Sequence, residues 1–300
     1  MLNQKARHSL DELTPGYDIL APDATYVPFV FNSPHSGRHY PLEFLKQSRL
    51  SPLLLRRSED ALVDHLYDFV PNLGAPLLTA TFPRAFVDVN REPFELDPKV
   101  FDGPLPKTSN DQSVRVMAGL GTIARVVGVG LEIYRKPLSL EEGLSRITDY
   151  YLPYHRVLSE TLTETVNRFE TAILIDCHSM PSGIKNSQSD ARPDFVIGDR
   201  FGSSAQPELV GLLIKLLQDE GYRVDYNKPY AGGYITEHYG NPSSGVHAIQ
   251  VEINRSLYLD EMRLEPNTGF ENLRANLRRV FSAYVDEVTS SLMATRSAAE

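Results

Sequence analysis

The chain carries one cysteine in 300 residues, Cys177. No intramolecular disulfide can form, and this usage fits a reducing compartment and a cytoplasmic protein. Apolar runs long enough to cross a bilayer, about 18 residues, are also missing, so no membrane partner is expected. The stretch from Met1 to Asp23 has charges throughout and no apolar centre, unlike a secretory signal. A basic surface is lacking as well. Thirty Lys and Arg stand against 39 Asp and Glu, for a net charge of −9 and a pI near 5.4. Phosphate binding needs cationic surface, so this balance argues against nucleic acid as the main partner. There is no nucleotide-binding glycine fingerprint, no Walker loop, no Gly-x-Ser-x-Gly elbow, no internal repeat and no low-complexity segment. The Gly232-Gly233 pair is too short to make a phosphate loop.

What is present is an α/β pattern. Hydrophobic residues make up 41 % and charged residues 23 %, enough for a sizeable core in a soluble protein. Ala172, Ile173, Leu174 and Ile175 form a short β-branched run that reads as a strand buried on both faces. It turns polar at Asp176-Cys177-His178-Ser179 and is expected to stop by Pro181 and Gly183. Val27 to Phe31 has the same form and leads into Asn32-Ser33-Pro34-His35-Ser36-Gly37. Two buried strands thus each deliver a histidine at a polar end, where open α/β sheets place ligand sites.

Residues 1–25 read as an N-terminal arm, and 26–300 as a single domain with a mostly parallel or mixed sheet flanked by helices. Leu62, Val63, Leu66, Tyr67 and Val70 predict a helix from an N-cap at Ser58, with Glu59 and Asp60 in its first turn. Strands are expected over Ala75–Thr81, Ala85–Val89, Asp194–Ile197, Tyr222–Tyr226 and Val246–Ile253. Helices are expected over Ser139–Glu170, with a break at Pro153, over Pro207–Gly221 and from Phe270 to about Met293. Residues 92–138 read as a loop-rich insertion. Tyr230 to Thr236 reads as a glycine turn entering a strand or loop.

A histidine near a strand end is often only hydrogen-bonded structure. Two in matching contexts, His35 and His178, bring metal ligation level with that structural reading. Hydrolytic zinc sites use about three His and Asp/Glu ligands and leave a position for water. The carboxylate can come from Glu59 or Asp60, and the residues alone do not choose between them. Glu252 sits between Val251 and Ile253 in an otherwise apolar strand. An ionised carboxylate there needs a cation or a chemical task. It is either a general base or part of an ion-pair network with Asp88 and Arg91, or with Arg255. Arg84, Asn90 and Arg91 cluster around one segment and suit recognition of a carboxylate. Cys177 points away from the face of His178 and reads as core.

Six segments together carry a resemblance. They are Pro34-His35-Ser36-Gly37, Ser58-Glu59-Asp60, Val87-Asp88-Val89-Asn90-Arg91, Asp176-Cys177-His178-Ser179, Gly232-Gly233-Tyr234-Ile235-Thr236 and His247-Ala248-Ile249-Gln250-Val251-Glu252. In this order they resemble the motifs of the N-formylglutamate amidohydrolases, from about Val27 to Glu261. The resemblance implies a metal-dependent α/β hydrolase similar in fold to zinc carboxypeptidases and aspartoacylases. It implies zinc, one ion per chain, on His35 and His178, with Asp60 favoured as third ligand because the deformylase motif ends in an aspartate there. Another divalent metal could take the same place. Glu252 takes the place of the general base, and Asn90-Arg91 resembles the pair that holds the substrate carboxylate in the carboxypeptidases. Asn254-Arg255-Ser256 departs from the deformylases of histidine degradation. The implied reaction is hydrolysis of an N-formyl or N-acyl amino acid, best matched by N-formyl-L-glutamate. Arg84 or Arg91 would stabilise the oxyanion. The alternatives are a metallo-amidase for another N-acyl amino acid or small peptide, and a metal-free binder of an acidic metabolite.

Overall fold

The structure, a computed structural model, describes residues 15–184 and 192–299. Of the expected N-terminal arm, residues 1–14 lie outside the described residues. Among the described residues seven strands form one mixed sheet: β1 (Tyr17–Leu20), β2 (Phe29–Ser33), β3 (Leu77–Ala80), β4 (Ala172–Met180), β5 (Phe195–Gly198), β6 (Val224–Tyr226) and β7 (Val246–Asn254). Their order is β1-β3-β2-β4-β7-β5-β6. β4 runs parallel to both β2 and β7, whereas β5 is antiparallel to β7 and parallel to β6.

The chain divides into two compact units. One comprises Ile19–Ser33, Leu62–Leu78 and Ser159–Glu300. Here all nine residues of β4 are buried, as the apolar run predicts. Phe31, Ile175 and Ile249 are register partners across β2, β4 and β7 and share one face of the sheet. That face packs on Tyr67 and on the helix Phe270–Ala299, with ring centroids of Phe31 and Phe281 5.3 Å apart and those of Phe29 and Tyr284 5.5 Å apart. Burying these rings removes a large apolar area from water, the main favourable term in folding. Along the opposite face the row Val30, Leu174, Ala248 is followed by Asn32, Asp176, Gln250 and then by His178 and Glu252. One face therefore turns from apolar to polar toward the carboxyl ends of its parallel strands.

The other unit comprises, among the described residues, 15–18, Pro34–Ala61 and Thr79–Leu158. It is largely irregular chain, as expected for 92–138, and its core forms around buried Arg146. That guanidinium lies 4.3 Å from the centroid of Phe86 and donates to Phe86 O, the Tyr134 hydroxyl, Gln47 and Glu142. Stacking on the ring and four acceptors satisfy a charge that would otherwise be costly to bury.

A long helical stretch begins at Ser139. Ser139 accepts from Glu142 N as an N-cap. The helix starts as Leu140–Arg146, loosens into a π-turn at Ile147–Tyr151 and continues as Leu152–Phe169. The break falls beside Pro153, whose missing N–H the looser turn accommodates.

Three local expectations differ from the fold. The helix expected from Ser58 reduces to a 3-10 turn at Arg56–Ser58 and a single α-turn at Val63–Leu66. Asp60 N–H donates to His35 O instead of entering a helix, and Leu62 takes a left-handed φ of 64°. Residues 85–89 form turns, because the N–H groups of Phe86 and Val87 go to Pro83 O and that of Asp88 goes to Thr122 O. The Gly232-Gly233 pair opens a short helix, Tyr234–Tyr239, rather than the strand or loop expected.

Candidate metal and catalytic site

In the largely irregular unit, His35 lies two residues beyond the end of β2, and its neighbour Gly37 packs against backbone. A Cβ on Gly37 would sit 2.0 Å from Phe82 O, so only glycine lets the His35 loop approach so closely. The imidazole is buried between two carboxylates: Nε2 is 2.8 Å from Asp88 Oδ1, and Nδ1 is 3.4 Å from Asp60 Oδ2. Burial alone would raise the Asp88 carboxyl. The charges of Arg84 and Arg91 and the contact with His35 outweigh burial and hold it well below the usual carboxylate range. An ionised Asp88 can only accept, so Nε2 carries a hydrogen, and Nδ1 faces Asp60.

Glu59 and Asp60 are both buried, yet they are differently engaged. Glu59 accepts from the Tyr40 hydroxyl at 2.8 Å and from Arg56 Nε at 3.1 and 3.2 Å. Burial pushes its carboxyl up, with Arg56 and Tyr40 opposing. Asp60 is the one beside His35.

Arg84 Nε donates to Asp88 Oδ2 at 2.9 Å, and its side chain keeps 28 % exposure. Asn90 is buried, and its N–H donates to Asp88 Oδ1. Arg91 donates to Leu120 O and Asn90 O and lies 3.6 Å from Asp88. Burial lowers its guanidinium to about 10 against the pull of Asp88. Asp88 is thus taken up by His35, Arg84, Asn90 and Arg91.

In the sheet unit, His178 is reached through β4. Its Nε2 lies 3.0 Å from Asp176 Oδ2, close but poorly aligned for a hydrogen bond. Asp176 Oδ1 accepts from Asn32 Nδ2 at 2.7 Å. Side chains two apart on a strand share a face, so Asp176 and His178 are neighbours by geometry. Each histidine therefore has a carboxylate beside Nε2. Carboxylates in that position orient metal-binding imidazoles and raise their basicity. Asp88 and Asp176 are the supporting residues that sequence reasoning missed. For Asp176 the signal was legible as the Asp-x-His spacing, whereas Asp88 lies 53 residues from His35.

Glu252, on β7, is the register partner of His178 and accepts from Gln250 Nε2 at 3.0 Å. Cys177 is buried on the other face, and burial raises its thiol well above the ordinary range, as a core residue requires. Arg255 is buried and donates from Nε to Ser179 Oγ at 3.0 Å.

His35, Asp60 and His178 are a buried set that could hold a metal ion. Two imidazoles and one carboxylate suit a borderline divalent cation and leave coordination positions for water or substrate. The residues present fit the group.

A mixed α/β sheet with its histidine and carboxylate side chains gathered toward the carboxyl ends of its central strands defines the class. A family model described as N-formylglutamate amidohydrolase matches residues 27–259. A protein of Pseudomonas aeruginosa named N-formylglutamate deformylase is 31 % identical over 280 residues, covering 89 % of this chain and 93 % of its own. One of the same name from Pseudomonas putida is 28 % identical over 250 residues, covering 82 % and 86 %. The crystal structure of N-formylglutamate amidohydrolase from Ralstonia eutropha JMP134 superposes with a TM-score of 0.85 at 35 % identity, covering 91 % of this chain and 99 % of that one. The chain belongs to the N-formylglutamate amidohydrolase family. Among its described residues no helix is long and apolar enough to cross a membrane.

Proposed function

We propose that this protein is a zinc-dependent amidohydrolase that cleaves N-formyl-L-glutamate to formate and L-glutamate. The observation that carries the reading is the buried set His35, Asp60 and His178, with a carboxylate beside Nε2 of each histidine. The relatives named as deformylases supply the substrate.

His35, Asp60 and His178 would hold the ion. Bound there, zinc supplies Lewis acidity toward the attacking water and the formyl oxygen. Glu252 accepts the proton of that water and returns it to the departing amine, the task of a general base that then acts as acid. Asp88, hydrogen-bonded to His35, keeps that imidazole oriented, and Asp176 stands beside the other. Of Arg84, Asn90 and Arg91, the first is the one that recognises a carboxylate of the substrate. Arg84, the most exposed of the three, is best able to reach a ligand, while Arg91 braces the loop through Leu120 O and Asn90 O. Either arginine can add positive potential for the oxyanion.

The test is formate release by the purified protein from N-formyl-L-glutamate, N-formyl-L-glutamine and N-formyl-L-alanine, with zinc supplied and after chelation. A marked preference for the first that chelation abolishes is expected. Equal rates on all three would point to a broader N-acyl amino acid amidase. No turnover on any, with zinc bound, would leave a binder of an acidic metabolite.

A further inference from the structure

Gln250 lies on β7, two residues before Glu252 and on the same face, level with Asp176 on β4 and Gly198 on β5. It is buried, and both ends of its carboxamide are engaged. Oε1 accepts from Gly233 N–H at 2.7 Å, and Nε2 donates to Glu252 Oε1 at 3.0 Å. A backbone N–H can only donate, so the carbonyl oxygen must face Gly233 and the amino group is turned onto the carboxylate. The flipped amide would set donor against donor and acceptor against acceptor. One orientation alone satisfies both neighbours.

The far end of this bridge is rigid. Arg200 N–H donates to Ala231 O at 2.6 Å, and Arg200 Nη2 pairs with Glu237 at 2.8 Å. Gly198 has no room for a side chain, because a Cβ there would meet Ala231 C at 2.6 Å and Gly232 N at 2.8 Å. Gly232 itself takes a φ of 119°, which side-chain-bearing residues rarely adopt. The 231–233 turn is therefore seated directly on the end of β5, and Gln250 ties Glu252 to it.

We infer that Gln250 is a positioning residue that holds Glu252 in its working orientation by fastening Oε1 to the 231–233 turn. A glutamate has three side-chain torsions, and a base that wanders loses the alignment on which proton transfer depends. The inference rests on the reading of Glu252 as the base.

A double-mutant cycle in kcat tests it, with wild type, Gln250→Met, Glu252→Gln and the double variant, each purified with its metal. Gln250→Met preserves length and removes both hydrogen bonds. It should lower kcat by about ten- to a hundred-fold, the scale of one hydrogen bond to a charged group, with KM changed less than about threefold. In the Glu252→Gln background the same substitution should lower kcat by less than about twofold, because the group it positions is already gone. An equal loss in both backgrounds would make Gln250 structural only and overturn the inference. So would a rise in KM with kcat retained, which would make the turn a substrate contact. If Glu252→Gln is itself fully active, the base assignment fails and this inference with it. If Glu252→Gln is inactive but Gln250→Met is not, this inference fails alone. Gln250→Asn, one methylene too short to span both partners, gives the same cycle if the methionine variant does not fold, as judged by its circular dichroism melt.

Discussion

His178 and Glu252 are register partners on the parallel strands β4 and β7. Their side chains share one face, so the sheet itself sets a candidate metal ligand beside a candidate base. On this arrangement Glu252→Gln should keep its metal, because the substitution removes the base and no ligand. kcat should fall by roughly 10²–10⁴-fold, the usual worth of general acid–base catalysis. Steady-state kinetics with metal analysis of the same sample checks both halves. Loss of metal from Glu252→Gln would move this residue into the coordination sphere.

His35→Ala and His178→Ala should each lower bound zinc from about one equivalent per chain toward none, as removal of one of three ligands does. Elemental analysis after dialysis measures it. Wild-type metal content in both variants would rule out the assignment.

Asp60→Ala should weaken zinc binding far more than Glu59→Ala, since Asp60 faces His35 while Glu59 is committed to Arg56 and Tyr40. A competition titration against a chromogenic chelator ranks the two. The reverse order would make Glu59 the ligand.

The two arginines should separate. Arg84→Met should raise KM for N-formyl-L-glutamate and lower kcat/KM by about ten- to a hundred-fold. Arg91→Lys should act mainly on stability, because an ammonium cannot serve Leu120 O, Asn90 O and Asp88 from one planar fork. Urea midpoints and kinetics on both variants decide the matter. A stable Arg91→Lys with a strongly raised KM would return Arg91 to the substrate.

His247 is buried on β7, and its Nδ1 has no hydrogen-bond partner. Burial holds its pKa below the ordinary value of about 6.5. The unfolded chain takes up a proton near pH 6.5 while the folded chain still resists it. The stabilisation is therefore complete above that pH and is lost as pH falls through the lower folded value. His247→Gln should flatten the fall of Tm with pH below about 6.5. An unchanged slope would show that other groups govern acid stability.

Much of this protein was legible without coordinates. The short apolar run at 172–175 and the mainly apolar stretch at 246–253 read as buried strands. The abrupt change to Asp, His and Glu within them marked the polar end of the sheet. The family motifs then indicated a metal site and a base. Less legible was anything that depended on where a backbone N–H finds its acceptor. The apolar spacing of 62–70 reads as a helix from Ser58, but Asp60 N–H is captured by His35 O, and the helix does not form around it. Residues 85–89 have strand composition, yet their N–H groups go to Pro83 and Thr122.

The sequence by itself determined the class of fold, its central strands, and the candidate histidines and acids that stand at their ends. These follow from periodicities of two and 3.6 residues, which are local properties of the chain. Only the tertiary structure decided how each group is committed. Asp88 goes to His35 across 53 residues, and Asp176 goes to Asn32 across 144. It also placed Gln250 between Glu252 and a glycine turn 17 residues away. Such pairings are set by which buried donors and acceptors remain once the sheet has closed, and no local pattern records that outcome.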